Sequence, residues 1–325
     1  MALALLLTAP TRGKFLAVGN FIREILLSTA DDHKDHRLTG TSGFLQSTSW
    51  KSVLFPIIRL FLALTFAGVP VALIQIYIKP LVAEPYSDLL FTCLVVPATV
   101  VAYWGYVRLI EGRPMAELAL SGSLQELSIG LATGAGLFTL TIGILWAMGF
   151  YHVTGLNNWF MLVESMGMAV LSGFVEELMM RGIIFRIIEE SLGTWIALVL
   201  SAILFGAMHL GNPNATVSSA LAIALEAGLL LAACYVLTRR LWLAIGLHLA
   251  WNFTQGGIFG VAVSGTTPMG ILQSTLTGPD FLSGGAFGAE ASIFAVVVCT
   301  SGFIFVIVKA YRKGHITKPY WLRTN

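Results

Sequence analysis

The stretch Ser172-Gly-Phe-Val-Glu176-Glu177-Leu-Met-Met-Arg181-Gly-Ile-Ile-Phe-Arg186 sets two adjacent glutamates and an arginine inside an apolar helical run, Met161–Val175 before them and Ile183–Ile188 after them. A carboxylate at membrane depth costs roughly a few kcal/mol unless it is paired or faces a wet cavity. Other groups in the chain must therefore compensate these charges. Neighbouring positions on a helix diverge by about 100°, whereas positions i and i+4 share a face. Glu177 can pair with Arg181, and Glu176 points elsewhere. The spacing thus divides the labour between a structural ion pair and a glutamate free for proton chemistry, the task of a general base. The plain alternative is a purely structural Glu-Glu-Arg cluster, since buried ion pairs also occur without catalysis.

The composition around this stretch is that of a polytopic membrane protein. Of the 325 residues, 56% are apolar and 11% charged, far from the usual quarter charged. The net charge of +2 gives no reason to expect a nucleic-acid partner. Cys93, Cys234 and Cys299 stand singly in apolar runs without CxxC spacing and read as small buried hydrophobes.

A crossing takes about 20 apolar residues. Eight runs qualify, at about Leu60–Ile78, Leu89–Val107, Leu127–Phe150, Trp159–Ile188, Thr194–Leu210, Ser218–Leu237, Leu241–Val261 and Ser292–Val308. The fold class expected is an all-α helical bundle of about eight transmembrane helices. With the N-terminus inside, all of the 19 Lys and Arg except Lys79 fall on the cytoplasmic side, as the positive-inside rule requires for cytoplasmic N- and C-termini. Three regions result: an N-terminal segment 1–50, a transmembrane domain 51–310 with its core at 159–261, and a tail 311–325. Ala2–Ala9 lacks a basic leader and is too short to span. Lys14–Ser28 reads as an amphipathic interfacial helix and Asp31–Thr48 as polar.

Pro70 and Pro97 read as helix kinks in scaffold spans, and Gly130, Gly134 and Gly136 as a close-packing face. Glu111, Arg113 and Glu117, with Pro114 between them, read as an interfacial turn that anchors at the membrane surface. Glu164, about three turns before Glu176, is either solvated or functional. Glu226 is a further intramembrane acid that pairs with a histidine, lines the substrate route or makes an interhelical hydrogen bond. Gly211-Asn-Pro-Asn214 is a turn. The long Gly- and Ser-rich segment Ser264–Ala291 is a lid or a plain connection.

Span five ends in Phe205-Gly-Ala-Met-His209, and span seven carries His248-Leu-Ala-Trp-Asn252, which sets an imidazole and a carboxamide on one face. At about 1.5 Å per residue, Glu176 falls towards the cytoplasmic half of its span and His248 close to it. His209 falls at the outer end of span five. Either a boundary differs, or span five is displaced, or the orientation is inverted.

The ordered set Glu176-Glu177-x-x-x-Arg181, Phe205-x-x-x-His209 and His248-x-x-x-Asn252 resembles the three motifs of the CPBP family, the CAAX prenyl endopeptidases and their bacteriocin-processing relatives. The likeness is close from Phe174 to about Phe253 and looser at Glu117-Leu and Leu282–Glu290. It implies an intramembrane endopeptidase in which Glu176 activates the attacking water with help from His209. His248 and Asn252 would stabilise the oxyanion, with Glu177 and Arg181 in support. Amide hydrolysis needs such a base and such preorganised donors. Relatives are thought to need no metal, and no cofactor is expected. Glu176, His209 and His248 would nevertheless make an acceptable zinc set with Asn252 or water as fourth ligand, although HExxH is absent. The partners expected are a peptide or protein substrate and the lipid bilayer, in a bacterial plasma membrane.

Two other classes compete. The intramembrane acids and the Gly284-Gly-Ala-Phe-Gly288 run suit a transporter or channel, but no internal repeat or pair of broken helices accompanies them. An idle immunity-type interaction protein would use the same helices to bind a partner.

Overall fold

The computed structural model describes residues 51–81 and 87–323. The N-terminal segment 1–50, with its expected amphipathic helix Lys14–Ser28, lies outside the described residues. α1 (Lys51–Tyr77) and α2 (Ser87–Tyr106) pack as a hairpin, followed by α3 (Ser123–Ala147) and a short strand, β1 (Tyr151–Leu156). α4 (Met161–Leu171) runs without a break through π-helical turns at Ser172–Glu176 and Leu178–Phe185 into α5 (Arg186–Leu192). α6 (Thr194–Met208) returns antiparallel to it. α7 (Val217–Ile223) joins α8 (Leu229–Thr238) through a π turn, Ala224–Gly228. α9 (Trp242–Asn252) is extended by a π turn, Phe253–Ile258. β2 (Leu272–Leu276), α10 (Asp280–Ser283) and α11 (Ile293–Arg312) complete the chain.

Among the described residues, six helices are long and apolar enough to cross a membrane: Phe55–Leu81, Leu89–Glu111, Ser123–Ala147, Thr194–Gly211, Val217–Thr238 and Ile293–Arg312. The two other expected spans are helical as well. The α4–α5 helix falls short of that description because it carries the charges quoted above, and α9 because it has 11 residues before its π extension. The faces follow the helical period. α6 buries Ala197, Leu198, Ser201, Ala202 and Phe205 and exposes Trp195, Ile196, Val199, Leu200, Ile203 and Leu204. A helix apolar on its outer face as well belongs in lipid.

Small residues set the closest contacts, as the Gly130/Gly134 spacing leads one to expect. A Cβ on Gly134 would lie 2.2 Å from the Leu247 carbonyl, one on Gly130 2.4 Å from that of Leu243, and one on Gly246 2.4 Å from that of Leu127. α3 and α9 therefore touch backbone to backbone, which fixes the helix that carries His248 and Asn252. On its other side, a Cβ on Gly173 would meet the Leu249 backbone nitrogen at 2.9 Å.

The reading of Glu111, Arg113 and Glu117 as a surface anchor is corrected. Glu111 and Glu117 are only 6% and 2% exposed. Glu111 takes Arg59 at 2.6 Å, Arg113 at 2.6 Å and Arg186 at 2.9 Å, and Glu117 takes Arg113 at 2.6 Å. Arg186 and Arg59 also reach Glu190, each at 2.7 Å. α1, α5 and the α2–α3 connection thus meet in one charge-balanced cluster. The sequence shows charges beside a turn; their burial comes from Arg59 and Arg186, which are remote in the chain.

Gly193, at φ 80° and ψ 166°, makes the turn between α5 and α6. A Cβ there would strike the Pro319 nitrogen at 2.7 Å. The tail straps this turn down: Thr194 N–H donates to the Thr317 carbonyl at 3.0 Å, and Thr317 N–H to Thr194 Oγ1 at 2.8 Å. Because the helix runs on to Leu192, past the expected end at Ile188, Glu177 precedes Gly193 by as many residues as His209 follows it. With equal rise on both arms, the first two motifs come level. The depth discrepancy arose from the span boundary.

Two outcomes follow. Gly134→Leu overpacks the α3–α9 contact at a cost of about 1–3 kcal/mol, to be seen as a lower melting temperature in detergent. His315, beyond α11, donates to the Leu237 carbonyl at 3.0 Å. Burial and the nearby Arg239 hold its imidazole below the ordinary 6.5, against the two backbone hydrogen bonds. The folded protein thus favours the neutral ring, and this contribution to stability is full above pH 6.5 and fades as the pH falls through the lowered value. A melting series in that window should slope less for His315→Gln than for wild type.

Candidate active site

The site is built where the two arms of the Gly193 hairpin meet α9. Glu177, fully buried, turns into the bundle, and its Oε1 accepts from Arg181 Nη1 at 2.7 Å and from His248 Nδ1 at 2.9 Å. The expected Glu177–Arg181 pair is present, and the second partner is one that helical spacing does not reveal. Arg181 Nη2 donates to the carbonyls of Ala227 and Gly228 at 3.0 and 3.2 Å, beside the π turn that joins α7 and α8. Its guanidinium also lies 4.6 Å from the centre of the Phe205 ring, a cation over an aromatic face. That ring in turn packs edge-on against His209 at 4.8 Å and His248 at 6.1 Å. Phe205 is therefore the hub between the three motifs.

Hydrogen bonding assigns the two imidazoles. His248 Nδ1 faces a carboxylate and His209 Nδ1 faces the Phe205 carbonyl at 2.7 Å, so each Nδ1 carries its proton and each Nε2 is left for other partners. Asn252 Nδ2 donates to Ser172 Oγ at 2.9 Å, which fixes the carboxamide.

Glu176, half-buried on a different face from Glu177, lines a cavity of about 250 Å³ together with His209, His248 and Asn252. The four side chains singled out in the sequence thus border one space, and Glu177 and Arg181 stand directly behind it. Ser165 and Ser172 line the same cavity from α4 and its π turn, and Asn212, Ser264, Thr266 and Thr267 from the connecting loops. Ser172 was within reach of sequence reasoning, since it stands four residues before Glu176. The loop residues carry no such signal. Ser264–Ala291 is in part a wall of the cavity and in part a ladder, since β2 pairs antiparallel with β1. Glu164 does not line the cavity, and Glu226 lines a smaller one behind it.

Among the described residues no three His, Cys, Asp or Glu side chains are gathered so as to hold a metal ion.

Helices long and apolar enough to cross a membrane thus surround one cavity that is bordered by a half-buried carboxylate, two oriented imidazoles and a carboxamide. Residues 156–254 match the family model described as type II CAAX prenyl endopeptidase Rce1-like. The matched segment runs from the end of β1 to just past Asn252, and its description agrees with the CPBP and CAAX protease resemblance and with the six helices long and apolar enough to cross a membrane. Comparison with curated proteins and with solved structures gave no match.

The two adjacent glutamates should differ in their effect on stability. Glu177→Ala leaves Arg181 buried without its counter-charge, at a cost of about 3–5 kcal/mol. Glu176→Gln, at the cavity wall, should leave the melting temperature close to that of wild type. Equal melting temperatures for the two variants would contradict this division.

Proposed function

We propose that the protein is an endopeptidase that hydrolyses peptide bonds near the membrane surface, with Glu176 as the general base. The observation that carries this reading is the meeting of Glu176, His209, His248 and Asn252 on one cavity, with Glu177 behind His248. Glu176 takes a proton from the attacking water as its oxygen adds to the scissile carbonyl, and His209 helps to hold that water and relay its proton. Negative charge then develops on the carbonyl oxygen. Asn252 meets it with its second N–H, the first being held by Ser172. His248 meets it through Nε2, which requires the imidazolium.

Charge counting supports that protonation state. Glu176 and Glu177 carry two negative charges, and Arg181 with an imidazolium at His248 carries two positive ones. A neutral His248 would leave the group with an excess negative charge in an apolar surrounding, which is costly. The carboxylate at Nδ1 orients the ring as in other acid–base pairs. No metal is assigned a part in these steps.

The cavity supports a peptide rather than an ion as cargo. Its walls alternate hydroxyl and amide groups with Met168, Ala169, Val261, Val263, Pro268 and Met269, as suits a chain with both polar backbone and apolar side chains. The Gly284–Gly288 run forms tight turns, with Gly288 against the Ala262 carbonyl and Gln255.

The test is incubation of the purified protein, in detergent or vesicles, with a peptide library read by mass spectrometry. Glu176→Gln should lower cleavage by on the order of 10²-fold or more, and Asn252→Ala by about 10²–10³-fold, both without loss of folded protein. Identical product profiles for wild type and Glu176→Gln would refute the assignment.

A further inference from the structure

Behind the substrate cavity lies a second one of about 30 Å³. A water molecule needs roughly 10–15 Å³ of such space and two to four polar partners. His209, His248, Asn252 and Ser264 border both spaces and so form the partition between them. The far side of the rear chamber carries Glu226, from the π turn between α7 and α8, and Glu290, from the single 3-10 turn before α11.

The two acids are 1% and 2% exposed, yet they differ in what they bind. Glu290 Oε1 accepts from the N–H and the hydroxyl of Ser264 at 2.6 and 2.9 Å. Glu226 Oε2 meets no donor among the described residues. A buried oxygen left in that state is costly and calls for a partner. No Lys or Arg borders the chamber, and Arg181 is committed to Glu177 and to the Ala227 and Gly228 carbonyls. Nor are three metal-ligating side chains gathered anywhere among the described residues. A small neutral donor is what the site takes, and its volume is that of water.

We propose that the rear chamber is a hydration site in which Glu226 holds a water molecule, and that this water replenishes the one consumed at Glu176. The site stands on the geometry alone; the supply role rests on the protease reading. A peptide that fills the front cavity shuts out bulk water on that side, while each hydrolysis consumes one water molecule. A molecule that crosses the partition arrives in the space that Glu176 borders. It moves intact, so no bond or proton changes hands in the transfer.

Two thiols provide the test. Cys299 of α11 borders the chamber and is 2% exposed, whereas Cys234 of α8 is 1% exposed and does not border it. A short X-ray pulse splits water where it stands, and the hydroxyl radicals oxidise thiols beside it. In full-length protein in detergent, mass spectrometry should find Cys299 oxidised well above Cys234. The signal should fall to the Cys234 level in Glu226→Leu and recover in Glu226→Gln, which keeps two hydrogen-bonding atoms there. Leu230→Phe, which narrows the chamber from its apolar side, should lower the signal in the same way. Equal oxidation of the two thiols in wild type overturns the hydration site, and this comparison needs no variant to fold. In peptide cleavage, Glu226→Leu and Leu230→Phe should lower kcat several-fold at unchanged KM, with recovery in Glu226→Gln. Oxidation of Cys299 lost in these variants while kcat is unchanged overturns the supply role. An oxidised Cys299 in a wild type that cleaves nothing supports the hydration site and overturns the protease reading, and the supply role with it.

Discussion

Glu177 accepts from Arg181 and His248 on the same oxygen, at 2.7 and 2.9 Å, with no exposure to solvent. Much of the molecule depends on that double contact. Through Arg181 it reaches the Ala227 and Gly228 carbonyls, and so the α7–α8 turn that carries Glu226. Through His248 it reaches α9 and, by way of the α3–α9 glycine contact, the next layer of the bundle. A buried ion pair contributes little net stability by itself, but removal of one partner is expensive. The cluster therefore acts less as glue than as a constraint: helices that fail to bring these groups together leave a bare charge in an apolar interior.

A second constraint lies at the other end of the same helix. The Arg59–Glu111–Arg113–Glu117–Arg186–Glu190 cluster and the strapped Gly193 turn hold α5 and α6 in fixed register. Since the arms are of equal length, the register decides that Phe205 meets Arg181 and that His209 comes level with Glu177. Local departures from α geometry then finish the alignment. π turns occur at Ser172–Glu176, Leu178–Phe185, Ala224–Gly228 and Phe253–Ile258, on or beside the motif residues, as is frequent at functional sites.

What the sequence makes legible is what helical periodicity encodes. Apolar runs give the helices of the bundle, the i, i+4 spacings give Glu177 with Arg181 and His248 with Asn252, and the glycines give the tight α3 face. What it does not encode is tertiary. The Glu177–His248 bond joins different helices, and so does the burial of Glu111 and Glu117 by Arg59 and Arg186. The β1–β2 ladder is six residues against five, with a register shift between Val153 and Gly155, too short and irregular for a period-two signal. The depth of His209 failed for a related reason: apolar content drops at Glu189 and Glu190, yet the helix continues to Leu192 because those acids are paired.

The central claim is that Glu176 activates water and does not itself attack the peptide carbonyl. Single-turnover cleavage in heavy-oxygen water, followed by mass spectrometry of both product and protein, addresses it most directly. The account predicts one heavy oxygen in the newly formed product carboxylate and none in the Glu176 side chain. Heavy oxygen incorporated into Glu176, or no cleavage at all by the intact protein, would contradict it.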